Sequence, residues 1–138
     1  MLKDHDSSAI VAVADLDRAR DFYGSILGLD LAEDGEEGVL TYQTGRTRLV
    51  VYQSDYAGTN RANAVVWGVG GDLDAIVAAL EAKGAAFEHY PDIGRLEGNV
   101  HVAEGARLVW LKDPDGNMVE FSWDQGVYAT LQDRWSHT

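Results

Sequence analysis

One local pattern occurs twice in this chain, and that repeat constrains the fold more than any other feature of the sequence. Residues 15–28 begin with Asp-Leu-Asp, continue as a helix-like run and end at a glycine, and residues 72–84 do the same. An apolar, strand-like run precedes each copy, and further strand-like runs follow it. Two copies are too few for a stacked repeat protein. The sequence therefore predicts two similar modules in one chain, with a ligand site where the modules meet.

The first module is predicted at residues 7–53. An apolar run at 8–14 is typical of a buried strand, and Asp15 is a favourable N-cap for the helix after it. Apolar side chains recur at helical spacing along that helix, and Gly28 is placed to end it. Three further strands are predicted near residues 29–32, 39–42 and 47–53.

The second module is predicted at residues 64–124, after a polar linker at 54–63. Asp72 is the expected N-cap of its helix, and Gly84 is the expected helix end. The tail at 125–138 has apolar residues at helical spacing, so a short amphipathic helix is predicted there. Strands are predicted at 64–69, 87–90, 100–102, 107–111 and 118–123, with a loop at 91–98.

Residues 113–117 are predicted to form the turn of a hairpin. Pro114 fixes φ for the first central position of a type I turn, and Gly116 can take a positive φ after it. The turn should therefore join the last two strands of the second module.

Composition bounds the class of protein. At 138 residues the chain is expected to be a single domain, residues 1–138, with room for a hydrophobic core. It has no Cys, which excludes disulfides and thiolate metal sites. The net charge of −12 argues against nucleic acid and anionic membranes as partners. No apolar run of about twenty residues and no signal-peptide pattern occurs, so a cytoplasmic protein is expected.

The order strand, helix and three strands, present in both modules, resembles the vicinal oxygen chelate superfamily of glyoxalases, bleomycin-resistance proteins and dioxygenases. The Asp-Leu-Asp motifs at 15–17 and 72–74 carry part of this resemblance. Its most specific part is the run Lys-Asp-Pro-Asp-Gly-Asn-Met-Val-Glu-Phe at 112–121. The resemblance implies an α+β fold in which two βαβββ modules form a paired, curved mixed sheet around a cavity. It also implies a homodimer.

The resemblance further implies a divalent metal held by His, Gln or Glu side chains on the first and last strands of each module. Only Glu120 is a good metal ligand among the matching positions, and one carboxylate does not hold a metal ion. We therefore expect no metal cofactor, with a displaced site of His101 and Glu120 as the alternative. The matching positions are Ser8, Val50 or Tyr52, Val65 or Ala64, and Glu120.

Side chains in phase with those positions should face the cavity, because successive residues of a strand point to opposite faces. Trp67 and Trp110 are the candidates for stacking on a planar ligand, although a tryptophan in a strand is more often part of the core. Glu120 is the candidate acid or base, with pairing to a ligand cation as another role. The complete set of predicted ligand-binding residues is Ser8, Tyr52, Trp67, His101, Trp110 and Glu120.

Two functions of different classes fit these residues. The first is metal-independent binding of a small organic ligand, with cationic or aromatic compounds as candidates, as the resemblance to bleomycin-resistance proteins implies. The acidic charge and the aromatic side chains favour this hypothesis. The second is a lyase, isomerase or dioxygenase-like enzyme that uses Glu120 with an atypical metal site.

Overall fold

The computed structural model describes residues 2–34, 38–103 and 105–123. The predicted helix at 125–138 lies outside these residues. No helix of the described residues is long and apolar enough to cross a membrane. The described residues divide into two compact units: unit 1 contains residues 2–34, 38–64 and 113–117, and unit 2 contains residues 65–103, 105–112 and 118–123.

Unit 1 follows the predicted order of strand, helix and three strands. Asp15 caps the helix as predicted, because its side chain accepts hydrogen bonds from the backbone N–H groups of Asp17 (2.8 Å) and Arg18 (3.2 Å). Gly28, with φ of +74°, follows the helix end. The elements are a 3-10 turn (Leu2–Asp4), β1 (Ala9–Val13), α1 (Leu16–Ala19), its π-helical continuation (Arg20–Ile26), β2 (Asp30–Asp34), β3 (Val39–Thr44) and β4 (Thr47–Gln53).

The sheet of unit 1 has the strand order β1-β4-β3-β2, in which β1 and β4 are parallel and the other pairs are antiparallel. One face of this sheet packs against the helix, where the rings of Tyr23 and Tyr42 lie 6.1 Å apart. The core of unit 1 therefore lies between the helix and this face. Its buried residues include Val11, Val13, Phe22, Tyr23, Leu40, Tyr42, Leu49 and Val51.

Unit 2 repeats the plan of unit 1. Its sheet has the order β5-β10-β9-β8-β7, so the first strand of the module again lies beside the last, and β6 pairs with β9. The repeat that the sequence predicted is therefore present in the strand order. The elements are β5 (Asn63–Gly68), a 3-10 turn (Gly70–Asp72), α2 (Leu73–Ala82), β6 (Phe87–Glu88), β7 (Arg95–Glu97), β8 (Val100–Ala103), β9 (Ala106–Lys112) and β10 (Met118–Ser122).

Two local predictions for unit 2 are wrong. The Asp72 side chain makes no capping hydrogen bond, because Asp72 is the last residue of a 3-10 turn in which the Leu73 N–H bonds to the carbonyl of Gly70. That turn needs a φ of +55° at Gly70, which glycine tolerates. The segment predicted as a loop at 91–98 contains β7, a short strand at the sheet edge that pairs with β8.

The turn at 113–117 forms as predicted, and it is anchored by residues far away in the sequence. The Gly116 N–H donates to the carbonyl of Asp113 (3.0 Å), and Gly116 has a φ of +84°. The buried carboxylate of Asp113 accepts a hydrogen bond from the Tyr23 hydroxyl (2.7 Å). Burial, together with the charge of Asp113, raises the pKa of Tyr23. The turn joins β9 to β10 along the chain but belongs to unit 1.

Candidate functional site

The sheet of unit 1 has one face turned away from its helix. β1 and β4 pair with Ile10 opposite Val50 and Ala12 opposite Tyr52. Since successive residues of a strand point to opposite faces, these four lie opposite the buried Val11. This is the strand phase that the sequence predicted for Tyr52. We call this surface face 1, and its residues are Ile10, Ala12, Val50 and Tyr52.

A cleft of about 210 Å³ lies on face 1. The segment that follows β4, which the sequence suggested only as a linker, supplies one wall of this cleft. Ile10 at the cleft leaves 62% of its surface exposed, so the cleft is open to solvent. The apolar and aromatic lining comes from Ile10, Ala12, Tyr52 and Tyr56. The polar lining comes from Thr59, Asn60 and Asn117.

Hydrogen bonds within the segment after β4 hold this wall in place. The Tyr56 N–H donates to Oγ of Ser54 (3.1 Å), and Oγ1 of Thr59 donates to the carbonyl of Tyr56 (2.8 Å). The Ala62 N–H donates to Oδ1 of Asn60 (3.1 Å). Contacts within the segment itself therefore hold the wall in place.

Asn117 reaches the same cleft from the turn at 113–117. Its Nδ2 group donates to the carbonyl of Ala12 (2.8 Å) and to Oδ2 of Asp113 (2.8 Å). Sequence reasoning missed Asn117 because it assigned the residue only to a turn. Its place in the specific run at 112–121 was a signal that could have drawn attention to it, whereas no pattern in the sequence marked Tyr56 or Thr59.

Ser8, the other predicted site residue of unit 1, lies outside the cleft. It is an exposed residue directly before β1, and it is not part of the cleft lining. Of the two residues predicted in unit 1, the structure brings only Tyr52 to the cleft.

Unit 2 has an equivalent sheet face. In the antiparallel pairing of β9 and β10, Glu120 lies opposite Trp110. Arg107 projects from the other face of β9 and forms an ion pair with Asp74 of α2 (3.0 Å), so the face of Glu120 points away from the helix, as face 1 does. We call this surface face 2, and its residues are His101, Leu108, Trp110, Met118 and Glu120. Three of the predicted site residues thus share one face.

Face 2 is filled by packed side chains. Its five residues are all buried, with Trp110 5% and Glu120 3% exposed. Tyr90, which follows β6, lies with its ring 5.5 Å from that of Trp110 and nearly perpendicular to it, and its hydroxyl lies 3.0 Å from Sδ of Met118. The ring of His101 meets Trp110 edge to face at 4.8 Å. Aromatic packing of this kind stabilises a core.

His101 is held in its neutral form on face 2. Its Nε2 accepts a hydrogen bond from the Tyr90 N–H (2.8 Å), so Nε2 carries no proton. Burial lowers the pKa of His101, and the nearby His89 adds to this shift. The residue therefore acts in packing and in fixing the Tyr90 backbone.

Trp67 does not share a face with Trp110, contrary to the expectation from strand phase. Its ring stacks on Phe121 at 5.5 Å with an angle of 18° between the planes. Phe121 follows Glu120 in β10 and so points to the opposite face. Val65 lies on the same face of β5 as Trp67, away from Glu120. Of the two residues predicted for the matching position, Ala64 is therefore the one on the face of Glu120.

The strand order, the helix positions and the two equivalent faces define a class of protein with paired α+β modules. The family model described as Glyoxalase/Bleomycin resistance protein/Dioxygenase superfamily matches residues 7–121, which is most of the chain. The chain belongs to this superfamily, and its predicted α+β fold class is confirmed.

Several solved structures share this fold. A glyoxalase/bleomycin resistance protein/dioxygenase from Alicyclobacillus acidocaldarius has 22% identity and a TM-score of 0.68, covering 86% of this chain and 90% of that one. A lactoylglutathione lyase from Agrobacterium tumefaciens has 20% identity and a TM-score of 0.66, covering 86% and 92%. The fosfomycin resistance protein FosX from Mesorhizobium loti has 14% identity and a TM-score of 0.65, covering 93% and 98%. At these identities the likeness shows the fold alone. No protein of curated function matches the sequence.

The divalent metal that the resemblance implies does not fit the side chains at the corresponding positions. Ser8 and Tyr52 offer only neutral hydroxyl groups, and Val50, Val65 and Ala64 have no donor atoms in their side chains, so Glu120 is the only good ligand among these positions. His101 and Glu120 lie on β8 and β10 with β9 between them and are two residues out of register, so their backbones are roughly 12 Å apart. Within residues 2–34, 38–103 and 105–123, no group of three or more His, Asp or Glu side chains is arranged to hold a metal ion.

Proposed function

We propose that this protein binds a small organic ligand with one aromatic ring in the cleft on face 1, without a metal ion. The cleft itself is the observation that supports this proposal. Its volume is about 210 Å³, and it combines two tyrosines and aliphatic side chains with a few polar groups. Small-molecule sites have this composition. An apolar cavity of about 150 Å³ holds benzene, so the volume suits a single substituted ring.

The charge of the chain favours cations over anions as ligands. The net charge is −12, and a field of that sign raises the local concentration of cations near the surface. Among the residues that the structure describes, no charged side chain lines the cleft, so this preference acts at long range and weakens as salt is added.

Titration with single-ring compounds of each charge tests the proposal. Benzylamine, benzyl alcohol and benzoate are suitable probes, and binding is followed through the methyl resonances of Ile10, Ala12 and Thr59. Tryptophan fluorescence is the wrong readout, since residues 1–64 and 113–117 contain no Trp. We expect benzylamine to shift these methyl groups most and benzoate least. Excess EDTA should leave the affinity unchanged.

A matched pair of variants tests the location. Ala12→Leu fills the cleft, and Ala75→Leu makes the same change on the exposed surface of α2. We expect Ala12→Leu to weaken binding at least about tenfold, which is 1.4 kcal/mol, and Ala75→Leu to have no effect. Absence of binding by all three probes, or equal affinity of the two variants, would overturn the proposal. Binding that needs a divalent metal would overturn its metal-independent part.

Enzyme activity at face 2 is the second candidate function. The observation in its favour is a buried carboxyl group, Glu120, beside Trp110, an environment typical of a general acid or base. The names of two structural relatives point to lactoylglutathione and fosfomycin as compounds to test. Activity on either compound that is lost in Glu120→Gln, with folding retained, would support this function. No turnover with or without added divalent metals would contradict it for these compounds.

A further inference from the structure

We propose that Asn117 selects the ligand of the face 1 cleft, and that it selects a ring carrying an N–H donor, such as an amide, an amine or an amidine. This inference rests on the proposed function, because it assigns the ligand class of the same cleft. It goes further by naming the atom that recognises the ligand, which is Oδ1 of Asn117.

The two hydrogen-bond acceptors next to the Asn117 amide fix its orientation. Its Nδ2 group donates to the carbonyl oxygen of Ala12 and to Oδ2 of Asp113, both at 2.8 Å. A backbone carbonyl and a carboxylate only accept hydrogen bonds, so the NH₂ side of the amide must face both of them. A flipped amide would set oxygen against oxygen at both contacts. Oδ1 is therefore held on the side away from Ala12 and Asp113.

The partner carboxylate is itself fixed, which makes this orientation rigid. Asp113 accepts hydrogen bonds from the Tyr23 hydroxyl (2.7 Å) and from the backbone N–H groups of Asp115 (2.9 Å) and Asn117 (2.8 Å). A site whose polar groups are locked by their neighbours binds without the cost of ordering them.

Oδ1 of Asn117 is the atom left for a ligand. Asn117 lines the cleft although it is only 4% exposed, and Oδ1 accepts no hydrogen bond from the described residues. A nearly buried amide oxygen gains most from a donor on the ligand, because an acceptor on the ligand would repel it.

A second polar group of the cleft also favours a hydrogen-bond donor on the ligand. Oγ1 of Thr59 gives its hydrogen to the carbonyl of Tyr56 (2.8 Å), so it presents lone pairs to other partners. Asn60 lies exposed at the rim, where water competes for its amide. Together with the acidic net charge, these acceptors favour a ligand that donates.

Three probes of nearly one shape test the donor requirement. Benzamide has N–H donors, methyl benzoate has none, and benzamidine has donors and a positive charge. We expect benzamide to bind about tenfold more tightly than methyl benzoate, and benzamidine at least as tightly as benzamide. The side-chain NH₂ resonances of Asn117 should shift with benzamide and benzamidine and stay in place with methyl benzoate.

The possible failures of this test are distinguishable. Equal affinity of benzamide and methyl benzoate, with both shifting the methyl groups of the cleft, would overturn the role of Asn117 and leave the proposed function intact. No binding by any of the three would overturn both.

A pair of variants adds a second measurement. Asn117→Ser removes the amide oxygen, and Asn99→Ser makes the same change in unit 2, outside the cleft lining. We expect the preference for benzamide over methyl benzoate to disappear in Asn117→Ser and to persist in Asn99→Ser. A tenfold preference retained in Asn117→Ser would overturn the inference. Because Asn117 also holds Asp113, folding is checked first, and the three probes on the unaltered protein decide the matter if the variant does not fold.

Discussion

Units 1 and 2 share a strand order but use the equivalent face of their sheets differently. Face 1 is open and carries a cleft, with Ile10 62% exposed. Face 2 is packed, with Trp110 only 5% exposed and in contact with Tyr90 and His101. Small and aliphatic side chains, Ala12 among them, leave space on face 1, whereas a large aromatic residue occupies face 2. Repetition of a fold within a chain therefore does not imply repetition of a binding site.

Removing one side chain from each face should give the largest difference in the free energy of unfolding between variants of the two faces. Trp110→Ala deletes a buried ring, so we expect the free energy of unfolding to fall by about 3–5 kcal/mol. Ile10→Ala deletes a mostly exposed side chain and should cost less than about 0.5 kcal/mol. Chemical denaturation followed by circular dichroism measures both values. Similar losses in the two variants would contradict the contrast between the faces.

Two glycine substitutions test what holds Tyr90 on face 2. Gly94 lies between Tyr90 and β7 with a φ of +75°, and an added Cβ would collide with the carbonyl oxygen of Val102 and lie 2.8 Å from Cβ of Ala103. At Gly98, with φ of +62°, the same Cβ would have no atom within 4 Å.

Gly98→Ala should therefore cost only the positive φ, about 1–2 kcal/mol. Gly94→Ala should cost about 1–3 kcal/mol more, because the segment must also move away from β8. Denaturation curves give the two costs, and near-ultraviolet circular dichroism reports the aromatic packing on face 2. Equal costs would show that close packing of this segment on β8 does not hold Tyr90 in place.

The smallest expected effect is a dependence of the free energy of unfolding on pH, caused by His101 on face 2. His101 has a pKa below its usual value of 6.5 in the folded protein. As the pH falls through about 6.5, the unfolded chain takes up a proton that the folded chain does not bind, so stability decreases. We expect the free energy of unfolding to drop between about pH 7.5 and pH 5.5, a window that lies above most carboxylate titrations.

His101→Gln is the matched control for this prediction. Glutamine keeps an acceptor for the Tyr90 N–H but does not titrate. Its free energy of unfolding should depend less steeply on pH than that of the unaltered protein. An identical pH dependence in the two proteins would mean that His101 does not contribute to it.

Local signals predicted the elements that depend on neighbouring residues. The Asp15 cap, the glycine after the first helix and the turn at 113–117 each involve groups a few positions apart, so the sequence specifies them directly. The same reasoning failed at Asp72 because Gly70 takes a positive φ and adds a 3-10 turn before α2. It also assigned Trp67 to the wrong face of β5. The face was counted back from Asp72 across Gly70 and Gly71, and one extra residue in that stretch reverses the result.

Patterns in the sequence were enough to predict the two-module plan and the superfamily, because both depend on local motifs such as the caps and the run at 112–121. Which face stays open and which residues reach the cleft depend on tertiary contacts. The hydrogen bond from Asn117 to Ala12 joins residues 105 positions apart, and the one from Tyr90 to Met118 spans 28. Such contacts depend on how loops pack on distant strands, and a local pattern of side chains does not encode that packing.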